Sequence, residues 1–290
     1  MARYLITAVG CLSAVNLPDI PGLDSFEGES FHTARWPQED VDLTGMRVGL
    51  IGTGSTGIQA TPRIAADAAH LTVFQRTPNF TIPARHTAFP PEAQAEIKKN
   101  YDEIFERTRQ SLAGFPFFPN DRNTMDVSPE ERQEILEGLW DKGGFRFLWG
   151  GFSDLLINPE ANEIASEFIR EKIRGMVNDP EIAEILCPYG YPYGSRRPPI
   201  DTDYYETFNR GNVTLVDVRN NPIEEITPNG VRTRDAAYEC DALIYATGFD
   251  AMTGSLLKMN IQGTGGLRLA DAWADGPRTF LGLQVAGFPN

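Results

Sequence analysis

The chain has 290 residues, 41% of them hydrophobic and 23% charged, which is an ordinary globular composition with enough length for two domains. Its formal net charge of −14 makes nucleic acid and anionic membranes poor partners, and no apolar run approaches the roughly 18 residues of a membrane-spanning helix. Three widely separated cysteines predict buried thiols in a reducing compartment, the cytoplasm, and three histidines without metal-ligand spacing predict no metal site.

Both ends of the chain are apolar. Residues 3–10 are typical of a buried strand that ends at a glycine turn, and residues 281–290 form another apolar run. Domains usually begin and end at exposed polar termini, and both of these ends would leave strand edges unpaired. We therefore expect the chain to be an internal piece of a longer protein.

A glycine-rich turn follows the apolar run at residues 46–51 and precedes a helical pattern. In this GxGxxG arrangement Gly52 permits a sharp turn, Gly54 lets the backbone approach a pyrophosphate, and Gly57 lets the helix pack near the strand. The helix N-terminus offers free N–H groups and a positive dipole end to the phosphates. The spacing predicts a dinucleotide site, with contacts from Gly52, Thr53, Gly54, Ser55, Thr56, Gly57 and Gln59.

The next apolar strand, residues 71–75, ends at Arg76 and Thr77. An NAD site usually carries an acidic residue here for the ribose 2′-hydroxyl. A guanidinium can instead bind a 2′-phosphate through two hydrogen bonds, and the Thr77 hydroxyl can donate a further one. The strand end therefore favours NADP(H) over NAD(H); the alternative is a surface arginine that only closes a strand.

A helical block of roughly 100 residues follows and is too long for an ordinary connection, so we predict an inserted subdomain. Residues 92–112 show one apolar helical face, and three cap-plus-proline pairs mark further helix starts. These starts are Ser128-Pro129 for a helix through Trp140, Asn158-Pro159 for one through about Met176, and Asp179-Pro180.

Strands resume at residues 213–217 and 242–246. The second of these ends in a corner, residues 247–250, that repeats the strand-to-glycine pattern of residues 6–10. Such corners carry the chain between the flavin and nicotinamide domains of flavoproteins that have two dinucleotide folds. In an unrelated fold, each of these two corners would be only a turn.

Residues 26–37 contain Phe26, Gly28, His32, Trp36 and Pro37. This segment resembles the FxGxxxHxxxW(P/D) signature of type I Baeyer–Villiger monooxygenases, flavoenzymes that convert ketones into esters or lactones. The final Trp-Pro distinguishes this family from flavin N-hydroxylases and related monooxygenases, which typically end the segment with another aromatic residue. We interpret the two aromatic residues as apolar anchors and the glycine as a turn. The histidine either forms a hydrogen bond across the hinge or has a purely structural role.

The resemblance extends over essentially the whole chain and implies an α/β fold. It implies a Rossmann-like NADP-binding domain with a helical insertion, flanked by incomplete parts of an FAD-binding Rossmann-like domain. The implied divisions are 1–40 for a partial FAD-domain strand and the linker with the signature, 41–88 and 191–246 for the two halves of the NADP-binding domain, 89–190 for the helical insertion, and 247–290 for the return to the FAD domain.

The resemblance also implies roles for single residues. Arg197 becomes the active-site arginine at the flavin, where a permanent cation stabilises a negatively charged oxygen. Arg196 joins Arg76 at the 2′-phosphate, and the corner contributes Thr247 and Gly248, with Asp250 near the nicotinamide. The alternative for both arginines in the pair is ion pairing with nearby Asp201 or Asp203. The implied cofactors are NADP(H) and FAD, and the implied substrates are a small ketone and O2.

Two features depart from the family pattern. The glycine fingerprint that holds the FAD pyrophosphate would lie before Met1, and the last part of the flavin domain would lie after Asn290. We interpret the glycine cluster at 263–266 as a turn. We therefore expect the chain alone to bind FAD poorly. Two alternatives remain open, which are a flavin-dependent N- or S-monooxygenase and an NADP-binding fragment without catalysis.

Overall fold

A computed structural model describes residues 8–289, so most of the strand predicted at residues 3–10 lies outside the described residues. The strands are β1 (Glu29–His32), β2 (Arg47–Ile51), β3 (His70–Gln75), β4 (Ile82–Pro83), β5 (Ile200–Asp201), β6 (Val213–Asp217), β7 (Ile223–Thr227), β8 (Gly230–Thr233), β9 (Ala237–Glu239) and β10 (Ala242–Tyr245). The α-helices are α1 (Ser55–Asp67), α2 (Pro91–Lys99), α3 (Tyr101–Gln110), α4 (Pro129–Lys142), α5 (Arg146–Trp149), α6 (Pro159–Met176), α7 (Pro180–Leu186), α8 (Tyr204–Thr207), α9 (Gly254–Leu257) and α10 (Leu269–Ala272).

The centre of the fold is a parallel sheet with the strand order β1-β10-β2-β3-β6. Because its strands are covered on both faces, they read as nearly continuous apolar runs, and those runs place four of the strands within one residue of their predicted ends. The fifth strand, β1, comes from the signature segment. Its sequence Glu-Ser-Phe-His carries no apolar run, so pairing with β10, rather than its own pattern, makes it a strand.

Alternate residues of the central strands pack on different layers. Val48 and Leu50 face the core that contains α1 and the helical insertion, whereas Ile51 faces a second core. The antiparallel sheet β7-β8-β9 covers this second face and contributes Ile226 and Val231 to it. The sheet is therefore the middle of three layers.

Close backbone approach explains two of the glycines. A Cβ atom on Gly57 would lie 2.1 Å from the carbonyl oxygen of Gly52, so α1 can start beside the end of β2 only with glycine there. A Cβ atom on Gly28 would lie 2.4 Å from the carbonyl oxygen of Asp241, where the chain enters β1 next to β10. The predicted reason for Gly57 therefore matches its surroundings.

Three helices of the insertion, α4, α6 and α7, begin where the sequence predicts. The side chains of Ser128, Asn158 and Asp179 each accept a hydrogen bond from a backbone N–H of the first turn. The single helix predicted at residues 92–112 is wrong, because the chain breaks into α2 and α3 at Asn100. There the side chain bonds the carbonyl oxygen and carboxylate of Glu96, and the backbone leaves helical geometry. None of the helices in residues 8–289 is long and apolar enough to cross a bilayer.

Four aromatic rings form the centre of the insertion. Phe147 is fully buried, with ring centroids at 6.1 Å from Trp140, 5.6 Å from Phe168 and 5.6 Å from Tyr193. Tyr193 belongs to the segment that leads from α7 back to the central sheet. Packing around Phe147 therefore connects the insertion to that return segment.

Replacing Phe147 by alanine is expected to lower the free energy of unfolding by about 3–5 kcal/mol, because it leaves a cavity at this centre. The matched change Phe105→Ala, at a ring that is 56% exposed on α3, is expected to change it by no more than about 0.5 kcal/mol. Chemical denaturation followed by circular dichroism measures both values. Equal losses for the two variants would contradict this account of the core.

Candidate functional site

The carboxyl ends of β10, β2, β3 and β6 open onto a cavity of about 720 Å³. After β2 the chain continues to β3 and β6 on one side, and it later returns to β10 on the other side. Parallel α/β sheets bind ligands at such a reversal of strand order. The predicted residues that line this cavity are Gly52, Thr53, Gly54, Arg76, Thr77, Arg196, Thr247 and Gly248.

Gly54 has a different environment from the other two fingerprint glycines. A Cβ atom on Gly54 would meet nothing within 4 Å. A Cβ atom on Gly52 or on Gly57 would instead clash with a backbone carbonyl oxygen. Gly54 is also the N-cap of α1, and no side chain caps this helix start. Free N–H groups next to open space form a cradle that fits a phosphate group.

The segment of residues 76–79, which follows β3, is fixed by hydrogen bonds to its backbone. Each of its four consecutive carbonyl oxygens accepts a hydrogen bond from a side chain of a different part of the chain. The pairs are Arg219 Nε with the Arg76 oxygen (3.2 Å), Thr53 Oγ1 with the Thr77 oxygen (3.2 Å), the Tyr191 hydroxyl with the Pro78 oxygen (2.7 Å), and the Tyr205 hydroxyl with the Asn79 oxygen (3.0 Å).

Three guanidinium groups converge at this edge of the sheet. Arg76 and Arg196 line the cavity, and the Arg196 Cζ atom lies 4.4 Å from the ring centroid of Tyr191. Arg219 donates from Nη2 to Thr77 Oγ1 at 3.2 Å, which leaves the Thr77 hydroxyl proton free for another acceptor. In a chain with a net charge of −14, this local positive charge favours an anionic ligand.

Sequence reasoning missed Arg219, although a signal for it existed. It follows β6, the strand that pairs with β3, so both strand ends reach the same edge of the sheet. The segment of residues 16–20 was missed as well; it lines the cavity but carries no periodic pattern.

The alternative ion pairs of the arginine pair are not formed. Within residues 8–289, neither Arg196 nor Arg197 makes a salt bridge with Asp201 or Asp203. Asp201 instead accepts a hydrogen bond from Thr81 Oγ1, and burial raises the pKa of its carboxyl group.

Arg197 lies outside the cavity that contains Arg196. Its Cζ atom is 5.0 Å from the ring centroid of Phe145, in the insertion. Phe115 lies 5.2 Å from Phe145 and 5.2 Å from Phe117, so these three rings form one aromatic cluster. The guanidinium groups of these consecutive arginines therefore pack on two different aromatic rings, and only Arg196 lines the cavity.

Five predicted cofactor contacts do not line the cavity. Gln59 Nε2 donates to the carbonyl oxygen of Ile200 at 3.1 Å and so joins α1 to β5. The backbone N–H of Asp250 donates to the carbonyl oxygen of Ala14 at 2.8 Å. The five residues outside the lining are Ser55, Thr56, Gly57, Gln59 and Asp250.

His32 of the signature connects two segments that are distant in the sequence. Its Nδ1 accepts from the backbone N–H of Ala34 (3.1 Å), so Nε2 carries the proton and lies 3.3 Å from Thr247 Oγ1. The Thr247 hydroxyl in turn donates to the carbonyl oxygen of Asn16 at 2.6 Å. Burial lowers the pKa of His32, which favours this neutral form.

The aromatic signature residues have unequal environments. Phe26 packs against the second core. Trp36 is 41% exposed, stands 5.2 Å from the ring of Phe31, and borders a smaller cavity of about 350 Å³ beside α1. Of the two predicted anchors, Phe26 is therefore the one that contacts a core.

Comparison with known proteins supports the resemblance. The chain is 49% identical over 294 residues to 2-oxo-Δ3-4,5,5-trimethylcyclopentenylacetyl-CoA monooxygenase of Pseudomonas putida, covering 99% of this chain and 54% of the relative. Phenazine N-monooxygenase of Lysobacter antibioticus is 47% identical over 291 residues, and cyclohexanone 1,2-monooxygenase of Acinetobacter sp is 46% identical over 291 residues; each match covers 100% of this chain and 53% of the relative.

A solved structure agrees with these relatives. The crystal structure of OTEMO in complex with FAD and NADP superposes with a TM-score of 0.96 at 48% identity, covering 99% of this chain and 55% of that protein. The chain is also 44% identical over 291 residues to a Baeyer–Villiger monooxygenase of Pseudooceanicola batsensis, so it is homologous to about half of that protein. It spans about half the length of the curated relatives that it matches. No protein-family model matches it.

Replacing Gly54 by valine is expected to fill the phosphate cradle of this monooxygenase homologue without disturbing its fold. We expect the affinity for NADP⁺, measured by calorimetry, to fall at least about tenfold, because the side chain would occupy the place of the pyrophosphate. The midpoint of thermal unfolding is expected to stay unchanged, whereas Gly57→Ala should lower it because of the 2.1 Å approach. A Gly54→Val variant that binds NADP⁺ as tightly as the parent chain would contradict the cradle.

His32 is expected to make stability depend on pH. Because its pKa in the folded chain lies below the unfolded value of about 6.5, its contribution is complete above that pH and is lost as the pH falls through the folded pKa. The difference in unfolding free energy between the parent chain and His32→Gln should therefore shrink on acidification, measured by urea titrations across this range. A constant difference would show that the histidine does not titrate in this way.

Proposed function

We propose that this chain is the NADP(H)-binding part of an FAD-dependent monooxygenase that inserts one oxygen atom of O2 next to a ketone carbonyl, giving an ester or lactone. The observation that carries the proposal is the convergence of Arg76, Arg196 and Arg219 where the strand after the glycine fingerprint ends. The names of the relatives, and the FAD and NADP in the OTEMO complex, support the same function.

In this proposal the cavity residues bind the nucleotide in two places. The cradle at Gly54 and the start of α1 accept the pyrophosphate. Arg76 and Arg196 bind the 2′-phosphate as charge-assisted donors, and Thr77 adds its hydroxyl proton. Ionised donors of this kind discriminate strongly against a nucleotide that lacks the phosphate, which would leave them unpaired.

Arg197 serves the oxygenation step. When bound, FAD supplies the activation of O2 and NADPH supplies the hydride. The ring of Phe145 supports one face of the Arg197 guanidinium, so its N–H groups remain available to stabilise negative charge on the reacting oxygen. The aromatic cluster of Phe115, Phe117 and Phe145 offers an apolar surface beside it, which suits an uncharged ketone.

The proposed domain arrangement follows the sheet. Residues 41–88 and 191–246 are the halves of the NADP-binding domain, with 89–190 inserted between them. The junction of His32, Thr247 and Asn16 joins this domain to the segments that lead to the flavin domain. The thiols of Cys187 and Cys240 are buried, which fits a reducing cytoplasm, and burial raises their pKa values to about 11 and about 12. The predicted burial of the third thiol is wrong, because Cys11 is exposed.

Nitrogen oxidation is the second candidate function. The phenazine N-monooxygenase relative is 47% identical, and the cyclohexanone 1,2-monooxygenase relative is 46% identical. Parallel product analysis with cyclohexanone and with an aromatic nitrogen heterocycle would distinguish the two functions.

In a full-length protein that contains this segment, Arg197→Ala is expected to reduce ester formation by at least about 100-fold, because it removes the cation that stabilises the reacting oxygen. Reduction of the flavin by NADPH, followed anaerobically by absorbance, should remain. Arg122→Ala, at an exposed arginine paired with Glu131, is the matched control and should change neither step. Ester formation that persists in Arg197→Ala would overturn the assignment.

A further inference from the structure

The two halves of the 2′-phosphate site come from distant parts of the sequence. We call Arg76, Thr77 and Arg196 the clamp. The first two follow β3, and the third follows the helical insertion, so the whole insertion separates them. A clamp built in this way needs a contact that fixes one half relative to the other.

Tyr191 makes contact with both halves. Its hydroxyl donates to the carbonyl oxygen of Pro78, directly after Thr77, at 2.7 Å. Its ring lies under the guanidinium of Arg196, with 4.4 Å from the centroid to Cζ. The ring of Phe80 holds the tyrosine ring from the side, edge to face at 5.4 Å. One side chain thus spans the gap between the strand end and the return segment.

We propose that Tyr191 is a positioning residue for NADP(H) selectivity: its hydroxyl fixes the Arg76–Thr77 half of the clamp and its ring directs Arg196 toward the same phosphate. The inference rests on the proposed NADP(H) function. Tyr191 does not line the cavity, so it acts through these neighbours and not through the ligand.

The ring and the hydroxyl group of Tyr191 have separate roles in this proposal. An exposed arginine loses rotamer entropy when it binds a phosphate, and a ring that already supports the guanidinium reduces that loss. The hydroxyl satisfies a carbonyl oxygen next to the anion site, so that the segment of residues 76–79 cannot turn this oxygen toward the phosphate. Burial raises the pKa of Tyr191, which keeps the hydroxyl a donor.

The test measures selectivity rather than affinity alone. Calorimetry on the full 290-residue chain compares adenosine 2′,5′-bisphosphate with 5′-AMP, which lacks only the 2′-phosphate. For Tyr191→Leu we expect the dissociation constant of the bisphosphate to rise about tenfold while that of 5′-AMP stays unchanged. Tyr191→Phe keeps the ring, so it should raise the dissociation constant of the bisphosphate by less than Tyr191→Leu does. A general loss of folding would weaken both ligands equally, and equal weakening overturns the inference.

Tyr189 provides a matched control in the same loop. Its ring lies under Arg170, with 4.8 Å to Cζ, and its hydroxyl donates to Glu184 at 2.8 Å, so it makes the same kinds of contact without touching the clamp. Tyr189→Leu should leave the selectivity ratio unchanged. A change as large as that of Tyr191→Leu would show general loosening of the loop and overturn the inference.

A double variant tests the route of the effect. If Tyr191 acts through Arg196, then Tyr191→Leu should have a smaller effect in an Arg196→Ala background than in the parent chain. Fully additive effects would overturn the positioning role.

Failure of the inference and failure of the proposed function give different results. A parent chain that does not prefer the bisphosphate over 5′-AMP overturns both. If Arg76→Ala removes the preference and Tyr191→Leu does not, the proposed function stands and only the positioning role is overturned.

Discussion

The hydrogen bonds to the carbonyl oxygens of residues 76–79 are the constraint on which the rest of the site depends. Side chains from four separate parts of the chain hold these consecutive oxygens, so the segment cannot adjust locally without losing a bond. The fixed segment brings Arg76 next to the fingerprint turn and lets Arg196 and Arg219 approach it. Such preorganisation lowers the cost of binding an anion.

A second consequence concerns the arginine pair. Arg196 and Arg197 are adjacent in sequence, yet each guanidinium rests on its own ring, Tyr191 for one and Phe145 for the other. In the proposed function one arginine holds a nucleotide phosphate and the other serves the oxygen chemistry. The helical insertion contains Phe145 and leads into the segment with Tyr191. The packing of the insertion therefore sets the positions of both rings.

The sequence allowed four strands of the central sheet, the fingerprint and the starts of α1, α2, α4, α6 and α7 to be predicted, because apolar runs, glycine spacing and proline caps act over a few neighbouring residues. β1 could not be predicted from Glu29–His32, because its pairing with β10 depends on a partner more than 200 residues away. The same holds for Tyr191 and Arg219, whose roles come from carbonyl oxygens near β3. The break between α2 and α3 at Asn100 was not predicted, because one apolar face continues across it.

The most direct test of the central claim is a crystal structure of the chain soaked with NADP⁺. The account predicts 2′-phosphate oxygens within hydrogen-bond distance of the guanidinium groups of Arg76 and Arg196, and the pyrophosphate over Gly54. Nucleotide bound elsewhere, or these side chains directed away from it, would contradict the account.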